Sequence, residues 1–229
     1  MIDADTDGGA ALPRLLQLAS PALPVGAYAY SQGMEYAVHA GWLRDEESAA
    51  GWILGLLHHL IGRVDVPVLA RLYRAWKAND EQALQYWCGY LRACRESREL
   101  QEEDRQLGGA LARLLRDLGI EEAAPWMAHP TVGFAVPFTL AAARWRVPLQ
   151  AAAQGYVWSW TENQTAAAIK LVPLGQTAGQ RILSRACAAI PAVVTRGLDL
   201  EDEQIGFVAQ RLAIGSALHE HQYSRLFRS

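Results

Sequence analysis

Glu96-Ser-Arg-Glu-Leu-Gln-Glu-Glu-Asp-Arg-Gln-Leu-Gly-Gly-Ala-Leu-Ala-Arg-Leu-Leu-Arg-Asp-Leu118 carries the clearest pattern in the chain. Leu100, Leu107, Leu111, Leu114, Leu115 and Leu118 return at helical spacing with charges between them, and Gly119 follows as a left-handed stop. The same period extends in both directions. Towards the N-terminus, Leu84, Trp87 and Leu91 form one helical stripe, and Leu69, Leu72, Tyr73 and Trp76 form another that opens at Pro67 and breaks at Asn79-Asp80. Before them, Asp45 and the acids Glu46 and Glu47 cap a helix bearing Trp52, Ile53, Leu56, Leu57 and Leu60. A helix over Tyr30–Ala40 ends at Gly41, and a first one from Pro13 stops at the Ser20–Gly26 loop. Towards the C-terminus, Pro130, Pro148, Pro173 and Pro191 each stand where a helix can start. Asp199 or Asp202 is expected to cap the last helix, which uses Ile205, Val208, Leu212 and Ala213. No run alternates with period two. The sequence therefore predicts an all-α fold, a single domain of about nine or ten helices over residues 12–218, with a frayed leader at 1–11 and a tail at 219–229.

Composition agrees. Ala (39) and Leu (30) far outnumber Val and Ile together (22), a bias towards residues that lose little freedom in a helix. With 229 residues, 51% of them apolar, the chain can bury a core without staples. A net charge of −3 argues against a general nucleic-acid binder. The three cysteines, Cys88, Cys94 and Cys187, have no CxxC spacing, which removes a disulfide framework and suggests a reducing, cytoplasmic setting. Residues 123–143 carry no charge, but Pro125, Pro130 and Pro137 would break a membrane span, so a buried helix hairpin is expected there.

Catalytic signatures are missing. The sequence has no GxxxxGK[ST], GxSxG, HExxH or helical ExxH pair, and neither lysine, Lys77 or Lys170, follows a glycine-rich loop. His58 and His59 are adjacent on a helix and point about 100° apart, which suits no single ion. His219 and His221 form a His-x-His, a weak metal candidate without a third ligand at family spacing. The plainer reading of that pair is a polar helix end.

Four features suggest contact with partners. Charge is uneven, with bases dominating 123–198 and acids 95–122, so two faces of different charge are expected. Tyr156, Trp160, Asn163, Ala167 and Lys170 share one helical face, and Glu162, Asn163 and Gln164 are polar within an apolar run. Such groups form an internal network, line a wet cavity or meet a partner. Pro24, Val25 and Gly26 make a rigid loop able to present Tyr28. In the tail, Tyr223, Leu226 and Phe227 fall on one face if helical, with Arg225 among them. They read as a docking element ordered by a partner, or as a segment packed on its own core.

Four blocks together resemble the urease accessory protein UreF family: Leu-Ala-Ser-Pro-Ala-Leu-Pro-Val-Gly-Ala-Tyr-Ala-Tyr-Ser-Gln-Gly-Met-Glu (18–35), His-Pro-Thr-Val-Gly-Phe (129–134), Trp-Ser-Trp-Thr-Glu-Asn-Gln-Thr-Ala-Ala-Ala-Ile-Lys-Leu-Val-Pro-Leu-Gly-Gln (158–176) and Gln-Tyr-Ser-Arg-Leu-Phe-Arg-Ser (222–229). Met34 stands where leucine is more usual, and Ala27 where glycine or serine is frequent. The resemblance implies a non-enzymatic, dimeric, all-α chaperone of nickel-site assembly with no tightly bound cofactor of its own. Its implied partners are the accessory protein UreD (UreH in some species), the GTPase UreG and apo-urease, into whose carbamylated-lysine centre the complex delivers nickel. On the matching blocks, Tyr28, Glu35, Lys170, Tyr223, Arg225, Leu226 and Phe227 are the expected partner-binding residues. The alternatives are a helical nickel-binding carrier and a helical metal-dependent hydrolase.

Overall fold

A computed structural model describes residues 10–229. Among these residues lie ten α-helices and no strand. They are α1 (Ala11–Ala19), α2 (Met34–His39), α3 (Glu46–Leu56), α4 (Val66–Ala78), α5 (Glu81–Ala93), α6 (Arg98–Asp117), α7 (Ala135–Arg144), α8 (Leu149–Leu171), α9 (Gln176–Leu198) and α10 (Gln210–His219). The all-α reading holds. The leader expected at 1–11 lies outside the described residues as far as residue 9, and Ala11 is already helical.

Local chemistry explains most boundaries. Asp45 accepts from Ser48 N–H at 2.9 Å and forms a capping box that starts α3. Asn79, at φ 53°, ends α4, and Asp80 then caps α5 through Ala83 N–H. Ser97 does the same for α6 through Leu100 N–H.

Five expectations are corrected. Pro67 opens no separate helix. A π-helical segment, Leu57–Asp65, links α3 directly to α4, and its wider turn precedes a proline that has no N–H to donate. Helix α2 begins at Met34 rather than Tyr30, because Gln32 and Gly33 both take left-handed backbone. Pro191 lies inside α9, not at a start. The last helix begins only at Gln210, since Asp202–Gln204 forms a separate 3-10 turn capped by Glu201. The hairpin expected over 123–143 is one helix, α7, preceded by a 3-10 turn at Glu121–Trp126.

The core has two parts. The larger gathers Leu69, Leu72, Leu111, Leu115, Phe138 and Leu140 where α4, α6 and α7 meet α8. The smaller holds Met34, Ile53, Ala167, Ala168 and Ile182 between α2, α3, α8 and α9, and it also takes in Phe227 from the final segment. One helical run among the described residues, Glu46–Ala78, is long and apolar enough to cross a bilayer, and 72% of its most apolar window is packed inside the protein. That burial is what a core helix shows.

Candidate functional site

A close crossing builds the site. Gly33 lies against the α10 backbone, and a Cβ there would sit 2.8 Å from Ser216 N. Its φ of 73° is also one that side chains rarely adopt. This contact brings Glu35, in the first turn of α2, under the end of α10 and the final segment.

Glu35 is 8% exposed, and its carboxylate is saturated. Leu226 N–H donates to Oε1 at 2.7 Å and Phe227 N–H to Oε2 at 2.8 Å. The buried His219 ring also meets Oε2 through Nε2 at 3.2 Å. On its other side, Nδ1 lies 2.8 Å from Glu99 Oε2, while Glu99 Oε1 accepts from Arg225 at 2.9 Å. The end of the segment is fastened as well. Ser31 N–H and Oγ–H both donate to Ser229 O, at 2.8 and 2.6 Å, and Ser229 Oγ–H donates to Glu103 Oε2 at 2.7 Å. Glu103 Oε1 accepts from Gln32 Nε2, whose Oε1 accepts from Trp160 Nε1, each at 2.8 Å. These contacts form a clasp of carboxylates under the final segment.

Burial governs the charge of this region. Glu103, 3% exposed, is pushed up to about 7 by desolvation, partly offset by the bonds from Gln32 and Ser229. Beside it, Arg95 makes a two-pronged bond to Asp65 and reaches Asp104 at 3.2 Å. Burial works to lower the Arg95 pKa, but the two carboxylates outweigh it and hold the guanidinium well above its usual value. Burial and the neighbouring Asp65 push the Tyr156 hydroxyl, which donates to that carboxylate, well up. A cavity of about 170 Å³ opens between these groups, the rim residue Tyr28 and Glu162. Burial raises the pKa of Glu162. Leu23, Leu60, Leu107 and Phe134 line it beside these polar groups, and it is roomy enough for several water molecules.

The structure gathers most of the expected residues in one region. Tyr28 is 72% exposed at the cavity rim. The Lys170 ammonium lies 5.6 Å from the Phe227 ring centroid, a cation–π contact, rather than pairing with Glu162. Asn163 reaches Tyr30 O at 3.4 Å. Gln164 stays apart, buried, with no hydrogen-bond partner for either amide atom.

The helical reading of the tail is corrected. Tyr223, Leu226 and Phe227 share no helical face, because the segment is not helical and Glu35 takes the Leu226 and Phe227 amides. Phe227 turns inward, while the side chains of Tyr223 and Leu226 are exposed. The segment packs against its own domain through Phe227 and these bonds. The weak metal pair separates too. Both His219 nitrogens face carboxylates, while His221 is exposed, and no group of three candidate ligands occurs among the described residues. His58 and His59 also part, one beside Arg196 and the other stacked on Phe207.

Sequence reasoning missed Glu103, Glu99 and the Asp65–Arg95–Asp104 group. Glu103 left a signal, since it falls on the Leu100, Leu107, Leu111 stripe, where a charge must find a buried partner.

Fold and site together define the class: a single-domain all-α protein whose central polar network fastens its own final segment. The UreF family profile matches residues 43–187. The urease accessory protein UreF of Alkalilimnicola ehrlichii is 55% identical over 228 residues, 100% of both chains. That of Chromohalobacter salexigens is 49% identical over 219 residues, 96% of this chain and 95% of the relative. That of Teredinibacter turnerae is 49% identical over 218 residues, 95% and 98% of the two chains. The chain belongs to the UreF family of urease accessory proteins, and its role lies in urease maturation. The four sequence blocks meet in this fold: 18–35, 158–176 and 222–229 at the clasp, and 129–134 beside it, where Phe134 N–H donates to Asp104 at 2.7 Å.

Proposed function

We propose that this chain is a non-catalytic scaffold of urease maturation. In the cytoplasm, as a homodimer, it binds the accessory protein UreD (UreH), recruits the GTPase UreG and regulates it while the assembly inserts nickel into apo-urease. The observation that carries this reading is the presentation of Tyr223 and Leu226. Both are largely exposed, yet the segment is pinned from Arg225 to Ser229: Glu35 and Ser31 hold its backbone, and Glu99 and Glu103 hold the Arg225 and Ser229 side chains. A pre-ordered apolar display loses little entropy on docking. Tyr28, on its proline–glycine loop, offers a second exposed aromatic for the GTPase. The missing phosphate loop fits a protein that leaves nucleotide to its partner.

Pull-down of the full chain with UreD and UreG, separately and together, tests the reading, alongside urease activation in a strain lacking the chain. Assembly with both partners and restored activation are expected. Tight stoichiometric nickel binding by the isolated chain, with activation restored by extra nickel alone, would replace the scaffold with a carrier.

A further inference from the structure

We propose that Glu35, His219 and Glu99 form a proton-requiring clasp that positions the exposed docking residues Tyr223 and Leu226, so that the final segment loosens as pH rises. The placing of those two residues against a partner rests on the scaffold reading, whereas the clasp itself does not. A neutral imidazole carries one N–H and one bare lone pair, and a carboxylate carries none. His219 sets both ring nitrogens against carboxylate oxygens, at 3.2 Å to Glu35 and 2.8 Å to Glu99, with the ring fully buried. One N–H satisfies one of these contacts. The other needs a second proton, on the ring or on a carboxyl, or two lone pairs face each other in a buried site.

Loss of that proton to solvent leaves an acceptor against an acceptor at the point that holds the segment. Glu35 carries the amides of Leu226 and Phe227, and Glu99 carries Arg225, so either contact on parting takes part of the segment with it. The charged neighbours do not supply the missing proton. From α2 the ring meets Glu35, and from α6 Glu99. Glu103 stands further along α6 on Ser229, and Arg225 reaches the ring only through Glu99. The groove beside the clasp adds Arg98, Glu102, Glu220 and Arg228, which bear no N–H on the ring.

The site makes an unusual control available. Glu99→Gln can keep its oxygen on Arg225 and place its NH₂ where Oε2 now faces Nδ1. A neutral His219 is then satisfied on both sides, donating to Glu35 and accepting from residue 99. Hydrogen exchange at the Leu226 and Phe227 amides of the isolated full chain, corrected for intrinsic base catalysis, reads the clasp directly. In the unaltered protein, protection should fall by about tenfold or more as the pH is raised from mildly acidic to mildly basic. Glu99→Gln should keep the protection and flatten its pH dependence. Glu103→Gln removes that carboxyl's own contribution and should leave the remainder of the dependence in place. A flat profile in the unaltered protein, an unchanged slope in Glu99→Gln, or loss of the slope in Glu103→Gln alone would each overturn the clasp. Capture of purified UreD by the same proteins is scored separately. A pH-dependent amide profile without UreD capture sinks the scaffold reading and leaves the clasp standing.

Discussion

At the scale of single residues, the least comfortable group is Glu103. Its folded pKa of about 7 lies above the ordinary 4.5, so the fold binds the proton more tightly than the unfolded chain does. The stability it brings is fully present below about pH 4.5 and is lost as pH rises through about 7. A shift of that size corresponds to roughly 3 kcal/mol. Glu103→Gln keeps a partner for Gln32 and Ser229 without the charge. It should match the parent in melting near pH 4.5 and exceed it by several degrees at pH 8, where about 1 kcal/mol moves Tm by 2–4 °C in a chain of this size. Equal melting at pH 8 would show the carboxylate to be well solvated instead. Arg95→Ala should act in the opposite sense at every pH above about 5. It strips Asp65 and Asp104 of their shared cation, and breaking a buried pair costs about 3–5 kcal/mol in urea unfolding. Some of this was legible in the sequence. Glu103 interrupts a leucine stripe, and Tyr28 follows a Pro–Gly loop. The partners of His219 were not legible, because they lie 120 and 184 residues away and nothing in the local pattern points to them.

At the scale of elements, periodicity read the long helices well and the joints poorly. Helix α6 follows from its spacing, since apolar period and propensity agree there, whereas α9 runs through Pro191, which reads as a helix start. The joints failed where tertiary contact overrode local signals. Pro67 reads as a helix start, yet the π-helical segment carries the rod past it. Gly62 in that segment and Gly197 in α9 let the two backbones meet, and a Cβ on Gly197 would lie 2.5 Å from Gly62 O. Gly197→Ala must therefore push α9 off the rod. The urea midpoint should fall by an amount equal to about 1–3 kcal/mol, the usual cost of overpacking, with the slope unchanged. An unaffected midpoint would mean that the crossing has slack. The final segment failed for a related reason. Its apolar spacing suits a helix, but two of its amides bond the Glu35 carboxylate, and a helix would have to reclaim both.

At the scale of the whole molecule, the final segment belongs to the core and to the surface at once, and substitution can separate the two roles. Phe227 completes the smaller core cluster at 6% exposure, beneath Lys170. Truncating a buried phenylalanine costs about 3–5 kcal/mol in a well-packed core, so Phe227→Ala should lower the melting temperature clearly. Removal of residues 223–229 should do the same, because it also strips Glu35, Glu99 and Glu103 of their segment partners. Tyr223→Ala and Leu226→Ala remove side chains that touch little of the domain, and exposed substitutions usually stay within about 0.5 kcal/mol. Their melting should match the parent. Capture of UreD should nevertheless drop by about tenfold or more, because each buries large apolar surface only when a partner covers it. Tyr28→Ala should likewise melt normally, retain UreD and lose UreG, since its ring is largely exposed at the cavity rim. The pairing of outcomes makes the test strict. A scaffold requires stable variants that fail to assemble. Stable variants that assemble and activate urease normally would move the docking surface elsewhere on the molecule.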